Sequence, residues 1–237
     1  MDSQLLNSLW TATLETLYMV SLSSLLAAVF GLPLGLLLVI TGPKGFLPHP
    51  LVNQGLGWVI NAVRSLPFII LLVAILPLTR WVVGTTIGST AALVPLTVSA
   101  VPFFARVAET ALLEVDRGLI EAAEAMGCSY WDIVRKVLIP ESLPALVLGL
   151  TLMVISLIGN SAMAGVVGGG GLGDLAIRYG FQRFDTRVML FTVVILIAMV
   201  QLIQWLGDTV ANGLRRTGGT VAAPRRGFAR RLLGVRG

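Results

Sequence analysis

The sequence predicts an all-α, polytopic membrane protein with five transmembrane helices, and three observations carry that prediction. Of 237 residues, 56% are hydrophobic and 12% charged, whereas soluble domains carry about a quarter charged residues. The apolar residues gather in runs close to the ~20 residues a helix needs to cross about 30 Å of hydrocarbon. Between the third and fourth runs the pattern changes to an amphipathic one, which places a polar helical loop outside the hydrocarbon.

The spans fall at residues 14–40, 58–78, 89–112, 143–167 and 188–210, each apolar over membrane length and flanked by polar or Gly/Pro-rich residues. The second is interrupted by Pro67 and Pro77 and holds Arg64, which can snorkel toward headgroups. Pro33, Pro95 and Pro102, with Gly31 and Gly35 nearby, read as tolerated kinks. No Lys or Arg precedes the first run and no small-residue cleavage site follows it, which argues against a removable leader. Single Cys128 excludes an internal disulfide, and its distance from lone His49 gives no zinc spacing, so it reads as a small residue in a packed loop.

Charge sets the orientation, because basic residues are retained on the cytoplasmic side. With the N-terminus outside and the C-terminus cytoplasmic, thirteen of the seventeen basic residues lie inside, and only Arg80, Arg178, Arg183 and Arg187 lie outside. Residues 1–214 form one membrane domain. Residues 215–237, with seven arginines, read as a basic, poorly ordered tail near anionic lipid rather than a nucleic-acid arm.

In the central loop Leu119, Ala122, Ala123 and Met126 recur at i, i+3, i+4 and i+7, the apolar face of a short helix. Gly127 ends it as a C′ residue. Ser129 with Asp132 forms a variant capping box for a second short helix, which Pro140 stops or bends. Glu121 and Glu124, with no basic residue between Leu119 and Met126, and the small residues Ala122, Ala123 and Gly127 favour a protein partner over a headgroup surface.

The run Glu121-Ala122-Ala123, Gly127 and Val137-Leu138-Ile139-Pro140 resembles the cytoplasmic EAA loop of bacterial ABC importer permeases. The resemblance continues through Arg64-Ser65-Leu66-Pro67-Phe68, Pro77-Leu78-Thr79-Arg80, Val94-Pro95-Leu96-Thr97-Val98 and Ser161-Ala162-Met163, and is strongest to the permeases of methionine importers. It implies a multi-pass inner-membrane transport subunit, not an enzyme, acting as a homodimer with two cytoplasmic ATP-binding subunits and an extracytoplasmic binding protein that delivers methionine. The loop would then be the coupling element, with Glu121, Ala122, Ala123, Gly127 and Pro140 serving the ATPase contact. It implies no cofactor and no metal.

In the fourth span Ser156, Asn160 and Met163 share one helical face. That face serves either packing between helices or the wall of the substrate passage, and Asn160 departs from the aromatic residue that the family leads one to expect. The run Gly168-Gly169-Gly170-Gly171-Leu172-Gly173 contains a G-x-G-x-x-G spacing, but it follows a membrane span rather than a strand and reads as a compact, pliable external turn, not a nucleotide site. Beyond it Arg178, Arg183, Asp185 and Arg187 mix with Tyr179, Phe181 and Phe184, as a solvated loop or a docking surface would. An ion-coupled carrier would place acidic groups or His within spans, whereas here they gather in the central loop and at span ends. Methionine and another small amino acid or organic solute remain alternatives as cargo.

Overall fold

The computed structural model describes residues 3–43 and 45–217. Among them every regular element is helical: α1 Ser3–Thr41, α2 Pro50–Ser65, α3 Phe68–Ala74, α4 Leu76–Val83, α5 Ser89–Leu113, α6 Arg117–Ala125, α7 Tyr130–Ile133, α8 Ile139–Val166, α9 Gly171–Leu175 and α10 Thr186–Thr217. Two π-helical segments, Val134–Leu138 and Ala176–Phe181, join α7 to α8 and extend α9. Helix α10 runs three residues into the segment read as the basic tail, and the remainder of that tail lies outside the described residues.

Four helices are long and apolar enough to cross a membrane, namely α1, α5, the continuous α7–α8 and α10. The second predicted span is not one helix. Pro67 has no N–H to donate and disfavours helical backbone at the residue before it; Leu66 is accordingly extended at φ −83°, ψ 130°. The chain turns by 104° between α2 and α3, and Pro77 sits in the first turn of a new helix, α4, where its missing donor costs nothing. A fifth span therefore exists only as this broken pair.

The bundle is organised around α1 and α5. On α1, Ser23, Ala27, Gly31 and Gly35 recur every four residues and are buried. A Cβ on Gly31 would stand 2.9 Å from the Val101 carbonyl oxygen, and one on Gly35 2.5 Å from that of Ala105. These glycines are a helix contact rather than kinks, since small residues let two backbones approach. The main core joins Met19, Leu96, Phe104, Met153 and Leu157 from α1, α5 and α8, so Met153 is a packing residue as expected.

The second short helix of the central loop is also different from expectation. It does not stop at Pro140. Instead the ladder widens through Val134–Leu138, where the Ile139 N–H donates to the Val134 carbonyl five residues back. The wide turn relaxes the ladder before the position at which Pro140 lacks a donor, so α7 continues into α8.

Candidate functional site

The central loop is built by local chemistry. Asp116 caps α6, its Oδ1 accepting the Gly118 N–H at 2.6 Å. At the other end Gly127 has φ +77°, the Gly127 N–H donates to the Glu124 carbonyl at 2.9 Å and the Cys128 N–H to the Ala123 carbonyl at 3.1 Å. This pair of bonds is a Schellman motif. A Cβ on Gly127 would meet nothing within 4 Å, so the backbone angle, not space, is what requires glycine. Ser129 Oγ accepts the Asp132 N–H at 3.2 Å and donates to the Asp132 carboxylate at 2.6 Å, which starts α7 as the spacing predicts. Cys128 is exposed rather than packed.

The apolar stripe of α6 does not face the bundle as a whole. Ala123 is buried at 3% exposure and Ile120 half-buried, whereas Leu119, Ala122 and Met126 are open, Met126 at 77%. The inner edge is anchored: Ile120, Phe46 and Ile139 pack on Leu112, Val115, Val134 and Leu138, and the Phe46 and Tyr130 rings lie 5.4 Å apart. The outer edge presents Leu119, Ala122 and Met126 beside exposed Glu121 and Glu124, with Trp131 exposed nearby. A cavity of about 390 Å³ opens between α6 and this anchor, lined in part by Phe46, Val115, Glu121, Glu124 and Tyr130. Pro140 is exposed where the π segment enters α8. Glu121, Ala122 and Gly127 are thus on one accessible element, Ala123 holds it to the bundle, and Pro140 lies at its junction with a span. The Lys136–Asp132 ion pair, 2.7 Å and solvent-exposed, adds little rigidity.

In α8, Ser156 and Met163 are exposed, Met163 at 48%, and Asn160 is half-buried; Leu152, Gly159 and Val166 continue the same open side. Met153, Leu157, Ser161 and Ala164 occupy the opposite, buried side. The structure brings the three predicted residues together on a face turned away from the protomer's own core.

The glycine segment is neither exposed nor pliable. Leu172 is 0% exposed. A Cβ on Gly173 would lie 2.4 Å from Ala162 Cα, and one on Gly165 2.3 Å from the Asp174 nitrogen, so α8 and α9 touch backbone to backbone. The first amides of α9 are satisfied from α1: Gly171 N–H donates to Glu15 Oε2 at 2.7 Å and Leu172 N–H to Thr16 Oγ1 at 2.9 Å. Sequence reasoning missed both partners, since nothing local marks a pair 156 positions apart. Next to them Arg178 binds the Asp174 carboxylate through two nitrogens, Nε at 2.6 Å from Oδ1, and these bonds raise the guanidinium pKa further above its usual value. Arg183 stacks 4.5 Å from the Tyr179 ring centroid, and Asp185 Oδ1 accepts the Arg187 N–H at 3.0 Å to start α10. Phe181 and Phe184 are left exposed. Among the described residues no group of three or more His, Cys, Asp or Glu is placed to hold a metal ion.

The profile of the binding-protein-dependent transport system inner membrane components matches residues 31–216, which include α6, its anchor and α8. The chain belongs to this family. Among its relatives is the probable D-methionine transport system permease protein MetI of Vibrio cholerae, 53% identical over 204 residues, covering 86% of this chain and 91% of that protein. The methionine import system permease protein MetP of Bacillus subtilis is 46% identical over 207 residues, covering 87% and 93%. In structure the chain is similar to a chain of an inward-facing MetNI methionine ABC transporter, with a TM-score of 0.89, 45% identity and coverage of 90% of this chain and 99% of that one. As a binding-protein-dependent transport system component it is an inner-membrane transport subunit.

Proposed function

We propose that this chain is the permease subunit of an ATP-driven methionine importer, giving alternate access across the inner membrane as a homodimer. It works with two cytoplasmic ATP-binding subunits and an extracytoplasmic binding protein, its N-terminus outside and C-terminus inside. The observation that carries the reading is α6: a short capped helix whose inner edge is fixed to α1, α5 and the π segment while its outer apolar and acidic edge is bare. Coupling ATP binding to a switch between two packed arrangements requires a rigid element that moves with the spans. Glu121, Ala122 and Gly127 then contact the ATPase, Ala123 seats the lever, and Pro140 lies where its motion enters α8. The face with Ser156, Asn160 and Met163 lines the passage at the dimer axis. The methionine assignment is supported by what the relatives are named for.

The test is uptake of labelled L-methionine into proteoliposomes holding this chain, its ATPase and its binding protein, with and without internal ATP, in competition with D-methionine and other amino acids. ATP-dependent uptake displaced by methionine forms alone is the expected result. ATP-dependent uptake of a different solute discards methionine, and uptake indifferent to ATP discards the importer reading.

A further inference from the structure

Helix α2 carries Gln54, Gly57, Asn61 and Arg64 at i, i+3, i+7 and i+10, so that the Gln54, Asn61 and Arg64 side chains share one face. Its first turn lies at the C-terminal end of α1, where Asn53 Nδ2 donates to the Leu38 carbonyl at 2.8 Å. Eleven residues further on, about 16 Å at the helical rise, Arg64 reaches the Phe103 ring, its guanidinium carbon 5.9 Å from the centroid. Phe103 is in turn ten residues, about 15 Å, inside the end of α5 at Leu113. Both measures put Arg64 near mid-depth of a layer about 30 Å thick, not at the cytoplasmic headgroups where the charge count places it.

At that depth the two neighbouring arginines are treated differently. Arg106 pairs with Glu109 and donates to Asn61 Oδ1 at 3.2 Å. Arg64 is exposed, and among the described residues it has no carboxylate partner. An intramembrane cation faces a water-filled cavity or the bundle interior, not lipid. The helix carrying it breaks two residues later, at Leu66, with the 104° turn that follows; non-helical backbone at such depth is tolerated where it is buried or lines a cavity. The Phe103 ring attracts the cation but accepts none of its N–H groups in a conventional hydrogen bond, and these donors suit a planar, two-oxygen acceptor.

We propose that Arg64, seated on Phe103, binds the carboxylate of the amino acid in transit, with this face of α2 as its route to the α6 side of the membrane. This rests on the amino-acid importer reading above. The test uses the full complex with Cys128→Ser, which removes the chain's own thiol, and Gly57→Cys, at a position where a side chain meets nothing within 4 Å. Millimolar methionine should slow maleimide labelling of that cysteine, methioninol, which lacks the carboxylate, should not, and Arg64→Gln should abolish the protection while Arg64→Lys keeps part of it. With native Gly57 restored, Arg64→Gln should lower ATP-driven uptake by about tenfold with ATP hydrolysis and subunit copurification unchanged, a transport effect rather than a folding one. Equal protection by methioninol, protection that survives Arg64→Gln, or a loss of copurification that Arg64→Lys does not rescue overturns the assignment while wild-type methionine uptake persists. Absence of that wild-type uptake overturns the importer reading and this site with it.

Discussion

At the α6 end of the bundle Met126, Leu119 and Ala122 stand open beside two carboxylates, whereas about 36 Å away along α1, counted from Val39 to Glu15, the α9 end buries Leu172 completely and closes its amides on Glu15 and Thr16. Both ends contain short helices and glycines, yet the glycines do opposite things. Gly127 has free space around it and is needed for its backbone angle; Gly173 is needed because there is no space. An end with bare apolar area and spare volume suits a partner that docks and moves. An end packed backbone to backbone holds one arrangement of α1, α8 and α9 and has to open as a unit.

The comparison breaks most readily at Gly173. Replacement by Val puts carbon where the Ala162 backbone is already 2.4 Å away, beyond the ~1–3 kcal/mol of ordinary overpacking, and the chain should no longer elute as a single folded species in detergent. Gly127→Val should leave that elution profile intact, because strain at positive φ costs only about 1–2 kcal/mol and no neighbour is displaced; the loss should instead appear as failed ATPase copurification or uptake reduced about tenfold or more. Equal damage from the two substitutions would show that the ends are not built differently.

Smaller effects sharpen the picture. Glu15→Ala removes a charge-assisted bond to the Gly171 amide, worth ~1.5–3 kcal/mol where partly buried, and should lower the thermal midpoint of the detergent-solubilised complex by several degrees without loss of ATPase binding. Met163→Ala, on the open face of α8, should leave the melting midpoint in place and change uptake by a few-fold; a shift in dimer assembly with no separate transport effect would return that face to packing.

The α6 loop was legible in the sequence because its rules are local. Gly127 ends a helix and Ser129 starts one through bonds reaching three to five residues, so the residues that form each cap lie side by side in the chain. The apolar stripe from Leu119 to Met126 was also visible, but its period does not say which edge meets the bundle, and the structure turns Ala123 and Ile120 inward and Met126 out. The same limit applies to Gly31 and Gly35: glycine in a span is compatible with a kink or a contact, and only the position of α5 distinguishes them. Residue type placed Ser156, Asn160 and Met163 on one face of α8, but their turning away from the core depends on where α1 and α5 stand.

By itself the sequence determined the helical membrane class, the interruptions at Pro67 and Pro77, and the caps of the central loop at Gly127 and Ser129, because hydropathy, capping and proline chemistry act over a few residues. The tertiary structure alone decided that α2 and α3 meet at 104°, that the glycine run is sealed by Glu15 and Thr16 from the far end of the chain, and that Arg64 meets Phe103 rather than a carboxylate. Those are pairings between distant segments, and they are fixed by which helices pack together, a property that no local period encodes.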